Sequence, residues 1–415
     1  MNKNGGIILN ILHIITQKPN STGSGVYLSG IVNEFEKMGY KQAVIAGIDV
    51  DDNKNCFDEN IDFYPVIFNR YPLNFSVVGM SDSMPYKSTR YRDLDRLQVE
   101  TVKSEFKKNI DIAIERLKPD IVICHHLYLL TSFVRSLIKD IKVVSICHGT
   151  CLRQFKTIDF EREMILEGIR GLDLIFALHD EQKSDIINTF SVDENKVVVI
   201  GSGYNDKIFY DKNFLTHNEK INISYAGKIC ESKGLKSLIN SLDLLNYPED
   251  FIEINFAGIG SDAKTYNEIL DMAKKCKYKV NFVGKLNQYD LAELFNRSQL
   301  FILPSFYEGL PIVVLEALAC GDDVILTNIF GVKEWLGDTI NNTKKIDYVE
   351  LPAMVGQGIP KKDEVLDFEK RLAKCISSRI DLISHRDKKD EFYMRDKTWD
   401  ALAVRIEKIL DGLIT

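Results

Sequence analysis

Short runs of Ile, Val, Leu and Phe alternate with longer mixed segments along almost the whole chain, and few folds accept that rhythm. The runs lack strict in–out alternation, as strands covered on both faces do. Spaced by helix-length segments, such strands build βαβ units around a parallel sheet. In the first half the expected strands are 7–15, 42–48, 121–125, 142–148, 174–178 and 197–201; in the second half they are 221–226, 252–257, 280–283, 300–303 and 323–327. A polar stretch without periodicity, 204–220, separates the two sets and reads as a linker. At 415 residues the chain exceeds one comfortable core. Two Rossmann-like α/β domains are therefore expected, at 1–205 and 206–390, with a helical tail at 391–415. Two irregular stretches interrupt the pattern, 68–100 and 341–363; long excursions of this kind often carry function.

A formal net charge of −7 argues against a nucleic-acid binder, which would show a basic balance. The opening apolar run is broken by Asn10 and His13 and reads as a core strand, not a leader. No stretch approaches the roughly 18–20 apolar residues that span a bilayer. The eight cysteines are scattered without a CxxC pair and mostly lie in apolar runs, as reduced thiols of a cytoplasmic protein do.

Three sites carry chemistry. Gly23 and Gly25 fall between the first strand and a helix running to about Met38, where backbone can approach a ligand and a helix N-terminus offers N–H groups. An ordinary strand-to-helix turn would look similar. Lys228 and Lys233 follow the strand 221–226 and precede a helix from Leu235; two ammonium groups there suit a diphosphate, although most lysines are simply solvated. The third site follows the strand 300–303. Glu308 lies in a loop, Pro311 opens a helix, and Gly321 stops it. The amides of Gly309, Leu310 and Ile312 would open as an anion site. Glu316 interrupts an otherwise apolar helix, so its carboxylate needs a partner, for which a ribose diol is suited.

This third stretch resembles the E-x7-E motif of the retaining glycosyltransferases of family 4, which have the GT-B fold: seven residues separate Glu308 from Glu316. The likeness runs over most of the chain. Gly23 and Gly25 resemble the family's first glycine-rich loop, and His148 resembles the histidine that lies near the transferred sugar. Lys228 and Lys233 resemble its basic pair on the donor diphosphate. The resemblance implies two Rossmann-like domains facing across a cleft, with the last helix crossing back to the first domain. It implies donor contacts from Gly23, Gly25, Gly309, Leu310, Pro311, Ile312 and Glu316, and catalytic roles for Glu308, His148, Lys228 and Lys233. The donor would be a nucleotide sugar acting as co-substrate, UDP-linked in preference to GDP-linked, with no tightly bound cofactor. The acceptor would be a glycan, a lipid-linked saccharide or a protein, the last two leaving room for contact with a membrane surface. Three departures stand out. Lysine replaces the usual arginine at 228, losing a bidentate grip. The run 200–205 replaces the usual hinge sequence, and Phe330-Gly331 replaces a glycine pair. A GT-B sugar-nucleotide epimerase and a non-catalytic sugar-nucleotide binder are the alternatives on the same fold.

Three further features bear on function. His125 and His126, at a strand end, could with His148 suggest a metal site, but no acid or thiol completes a ligand spacing; sugar or acceptor contacts are expected instead, with His126 on the acceptor side. Tyr86 and Arg90, in the first excursion, are likewise expected to shape the acceptor side. Asp49-Val50-Asp51 imitates a metal-binding DxD but lies in a charged loop and reads as solvated, so no metal is expected.

Overall fold

The computed structural model describes residues 8–82, 84–212, 220–260, 262–356, 358–386 and 394–414. Residue 7 of the first expected strand, 83 and 357 of the two irregular stretches, 213–219 of the linker, and 391–393 and 415 of the tail lie outside the described residues. The chain divides into two compact units, Met1–Gly203 with Trp399–Thr415, and Tyr204–Thr398.

The first unit runs β1 (Asn10–Ile15), α1 (Gly23–Met38), β2 (Lys41–Asp49), β3 (Asp62–Phe68), the two-residue β4 (Val78–Gly79) and β5 (Thr89–Arg90), and α2 (Arg96–Leu117). It continues with β6 (Ile121–His125), α3 (Leu129–Leu137), β7 (Lys142–Ile146), α4 (Thr150–Thr157), α5 (Arg162–Arg170), β8 (Leu174–Ala177), α6 (Asp180–Phe190) and β9 (Val197–Val199). Its seven-stranded parallel sheet has the order β3-β2-β1-β6-β7-β8-β9. The central strands are buried end to end, as the unbroken apolar runs require. Local signals set the helix ends. The Thr22 hydroxyl caps α1, and Gly39 ends it at φ +91°, where glycine alone is unstrained. Asp95 and Gln98 form a capping box on α2.

The second unit runs β10 (Ile221–Ala226), α7 (Leu235–Asp243), β11 (Ile252–Ala257), α8 (Ala263–Ala273), β12 (Lys279–Gly284), α9 (Gln288–Arg297) and β13 (Leu300–Leu303). There follow α10 (Ile312–Ala319), β14 (Asp323–Thr327), α11 (Val332–Leu336), α12 (Asp338–Asn341), β15 (Ile346–Val349), the hairpin β16 (Met354–Gly356) and β17 (Ile359–Pro360), and α13 (Val365–Ser384). Six parallel strands pair in the order β12-β11-β10-β13-β14-β15. The last helix, α14 (Trp399–Ile414), belongs to the first unit. Its Trp399 ring lies edge-on to Tyr27 at 5.2 Å, and Tyr40 donates to Glu407 at 2.6 Å. Gly30 of α1 makes room for the indole: a Cβ there would stand 2.6 Å from its ring atoms.

Both sheets reverse direction of build once, between β1 and β6 and between β10 and β13. In open parallel sheets, ligands bind beyond the strand C-termini at such switch points. Both glycine and lysine loops, both histidine-bearing turns and the two-glutamate motif follow strands at or next to these points.

Several expectations need correction. The excursion 68–100 is preceded by an unexpected strand, β3, hidden by Pro65; as the sheet edge it needs no N–H there. The stretch 341–363 hides another edge strand, β15. Phe209, inside the expected linker, is buried in the second core. Asp49 is not solvated: it is buried, paired to Lys18 at 2.6 Å, and accepts from Asn69 at 2.8 Å. All eight cysteines are free, but Cys56, Cys230, Cys276 and Cys375 are only half-buried. Among the described residues no helix is long and apolar enough to cross a membrane.

Candidate functional site

In the second unit the chain leaves β10 through Gly227, at φ +157°, and Lys228, whose carbonyl accepts from the Tyr225 hydroxyl at 2.6 Å. A single 3-10 turn, Glu231–Lys233, leads to Gly234 and α7. Gly234 has φ +67°, and a Cβ on it would stand 2.0 Å from the Pro304 carbonyl oxygen. The loop therefore lies flat on the start of the neighbouring loop after β13, and Phe306 N–H closes the seam on Ser232 O at 2.8 Å. Glycine at 234 is what allows the close approach.

That seam brings Lys233 to Glu308. Their charged atoms are 2.6 Å apart, and the Ser305 hydroxyl donates to the other Glu308 oxygen at 2.6 Å. Lys233 also donates to Tyr307 O at 3.3 Å. Thr327 holds Ser305 O from β14 at 2.5 Å. Both members of the ion pair are about 15% exposed (16% and 13% by side chain), so the pair is open at one side.

Pro311 precedes α10 as its capping residue. The Ile312 amide, expected to open toward a ligand, instead donates to Leu310 O at 3.0 Å through the tight turn that enters the helix. The Gly309 and Leu310 N–H groups have no acceptor among the described residues. Glu316 is 8% exposed, and its carboxyl has no partner among the described residues. Burial pushes its pKa up to about 8. A carboxyl kept in that condition is ready for hydroxyl partners from outside.

In the first unit, Thr16, Gln17 and Lys18 follow directly on β1. Gly25 must be glycine because a Cβ would meet Lys18 O at 2.8 Å, whereas among the described residues nothing lies within 4 Å of a Cβ on Gly23. The Gly25 N–H is not open to a ligand as expected; it is spent on the Thr22 cap at 3.2 Å. Thr22 in turn donates to Gln17 at 3.3 Å, and the Gln17 amide nitrogen lies 3.1 Å from His126 Nε2. His126 is buried at φ +72°. His148, after β7, is half-buried; its Nε2 lies 3.0 Å from Nδ1 of buried His125. Burial, with neighbouring histidines adding to it, holds both pKa values well below the usual imidazole range, so both rings are neutral. His13 sits below, its pKa lowered to about 4 by burial despite a hydrogen bond to Gln42.

The structure thus brings His126, His148, Gly23 and Gly25 together in one unit, and Lys228, Lys233, Glu308, Gly309, Leu310, Pro311, Ile312 and Glu316 in the other. Tyr86 and Arg90 part company. Tyr86 packs under Lys18, the ammonium 4.9 Å from its ring centre, whereas Arg90 points outward and pairs with Asp93 at 2.9 Å. Sequence reasoning missed Gln17 and Lys18; it singled out His125 with His126, but not the bond from His125 to His148. Lys18 is held by Asp49 and Asp52, both at 2.6 Å; burial works against its charge, yet the two carboxylates raise its pKa. The position of Gln17-Lys18 directly after the first strand was the available signal. Among the described residues no group of three or more His, Cys, Asp or Glu is placed to hold a metal.

Comparison with known proteins places this geometry. Residues 206–344 match the family described as Glycosyl transferases group 1, and residues 21–207 match Glycosyltransferase Family 4. An uncharacterised glycosyltransferase of Methanocaldococcus jannaschii is 26% identical over 178 residues, covering 40% of this chain and 45% of that protein. The alpha-maltose-1-phosphate synthase of Mycolicibacterium smegmatis is 23% identical over 186 residues, covering 41% and 47%. The chain spans about half the length of the curated relatives it matches. Among solved structures, sucrose-phosphate synthase from Thermosynechococcus elongatus shares the fold with a TM-score of 0.65 at 14% identity, covering 97% of this chain and 98% of that one.

Proposed function

The chain belongs to the retaining GT-B glycosyltransferases of family 4 (glycosyl transferases group 1), and on that premise we propose that it transfers a sugar from a nucleoside diphosphate sugar to a hydroxyl acceptor. A UDP-sugar is the favoured donor over a GDP-sugar. The acceptor is a glycan, a lipid-linked saccharide or a protein, met in the cytoplasm or at a membrane surface. The single observation that carries the reading is the contrast between two carboxyls of one motif. Glu308 is held by Lys233 at 2.6 Å, while Glu316 is buried with no partner among the described residues.

Each group then has a task. Glu316 receives the two ribose hydroxyls. Lys228, Lys233 and the Gly309 and Leu310 N–H groups meet the diphosphate, whose charge grows as the glycosidic bond breaks. Glu308 contacts sugar hydroxyls and steadies positive charge near the anomeric carbon. His148 offers its imidazole to the sugar. The acceptor oxygen attacks on the face the phosphate leaves; the anomeric C–O bond to phosphate breaks, the bond to the acceptor forms, and the acceptor proton passes to a phosphate oxygen. Configuration is retained and no side chain acts as a nucleophile. No tightly held metal is needed, because lysines and amides already stand where the diphosphate leaves.

The test is incubation with a panel of UDP- and GDP-sugars, with and without saccharide acceptors, while released nucleoside diphosphate and glycosylated product are measured. Release of one nucleotide, coupled to product and lost in Lys233→Ala, is expected. Nucleotide binding without any release would overturn the reading in favour of a non-catalytic binder.

A further inference from the structure

We propose that His125 is a positioning residue for the transfer reaction: its ring, hydrogen-bonded to His148, fixes His148 as the tautomer that presents an Nδ1–H donor to the sugar. The statement about the sugar rests on the function proposed above; the statement about the tautomer does not.

Adjacent strands β6 and β7 set the two rings parallel, with an interplanar angle of 6° and centroids 5.3 Å apart. His125 Nδ1 and His148 Nε2 are 3.0 Å apart, so one of them carries the shared proton. His125 is 3% exposed, and its Nε2 is buried with no hydrogen-bond partner among the described residues. Both rings are neutral, so each carries a single proton.

If His148 donated, His125 would accept at Nδ1 and its own proton would have to sit on Nε2. That would bury an N–H with no acceptor, an arrangement folded proteins rarely keep. If His125 donates from Nδ1, only a lone pair is left unused at its Nε2, a milder loss. The second arrangement follows. His148 then accepts at Nε2 and carries its proton on Nδ1. Among the described residues that Nδ1 has no partner and is not buried. The ring cannot turn away easily, because Tyr27 and His126 pack against it edge-on at 5.2 and 4.8 Å. A neutral imidazole with a directed N–H is a hydrogen-bond donor to a sugar oxygen and cannot take a proton at that atom.

Long-range proton–nitrogen NMR of the imidazoles reads the tautomer directly, with His148→Gln used for assignment. In the wild-type protein, His148 should show a protonated Nδ1 and a bare Nε2. His125→Phe keeps an aromatic ring and removes the donor. It should shift His148 toward the Nε2–H tautomer and lower turnover by about 10–100-fold, by analogy with the loss of a partner that orients a metal-bound imidazole, with donor KM little changed. His125→Asn places an amide N–H near the lost Nδ1 and should restore both signals. A wild-type spectrum with the proton on His148 Nε2 overturns the proposal, as does an unchanged tautomer in His125→Phe. Should His125→Phe fail to fold, the wild-type and His125→Asn spectra still decide. The expected spectra in a protein that turns over no nucleotide sugar would remove the proposed function and leave the His125 assignment standing.

Discussion

The Lys233 ammonium stands 2.6 Å from the Glu308 carboxylate, across a seam that joins the loops after two adjacent strands. A donor diphosphate entering there must share that ammonium, so Lys233 serves ground state and transition state differently. Lys233→Ala is expected to cut turnover by about 10²–10³, as loss of one oxyanion donor does, and to weaken donor binding less. Lys228→Arg should keep substantial activity and Lys228→Gln should not. Steady-state turnover and donor affinity of the three variants check this; parent-like behaviour in all three would mark both lysines as surface groups.

Glu316 ties nucleotide binding to pH. Measured above pH 8, where its carboxyl is ionised, Glu316→Ala should weaken UDP or GDP binding by about 1.5–3 kcal/mol, the worth of a charged hydrogen bond, and by less at lower pH. Its folded pKa is raised to about 8 by burial, above the ordinary carboxyl range. Between roughly pH 4.5 and pH 8 the folded protein holds a proton that the unfolded chain has lost, so this group's contribution to stability falls as pH rises through that window. Glu316→Gln removes the ionisation. Denaturant titrations across the window should show a shallower decline in the variant; parallel curves would refute the assignment.

Gly30→Ala tests how α14 is seated. Alanine in mid-helix gains up to about 1 kcal/mol of propensity over glycine. Against this, the new Cβ would lie 2.6 Å from the Trp399 ring, and overpacking of that kind costs about 1–3 kcal/mol. A net loss of stability is expected, read as a lowered melting temperature. A rise would mean the indole moves aside freely.

Tyr86 and Arg90, equal candidates in sequence, should behave differently. Tyr86→Ala takes away the ring beneath Lys18 and should change acceptor kinetics while leaving donor affinity alone. Arg90 makes a surface ion pair with Asp93, of a kind that solvent screening leaves weak, and Arg90→Ala should be nearly silent. An Arg90→Ala variant with altered acceptor KM would contradict that division.

What the sequence displayed and what it hid follow from range. The buried strands were legible because covering both faces demands unbroken Ile, Val and Leu. The motif from Glu308 to Glu316 was legible because its spacing is local. Edge strands β3 and β15 were not, since one free edge tolerates Pro65 and mixed residues. Asp49 looked solvated because its partners Lys18 and Asn69 are 31 and 20 positions away in sequence, and only parallel pairing of β1, β2 and β3 collects them. His125 stood out beside His126 at a strand end, but its bond to His148, one strand across, was hidden for the same reason.

Trp399 is gripped by Gly30 and Gly203, where a Cβ would come within 2.6 and 2.8 Å of it respectively. The first unit therefore needs residues that leave the ribosome nearly two hundred positions after the rest of it. During synthesis its sheet must wait with the α1 groove bare, while the second unit, one uninterrupted segment, can finish first. The order of birth and the order of completion are reversed, and a chaperone that shields apolar surface would have its longest task on α1.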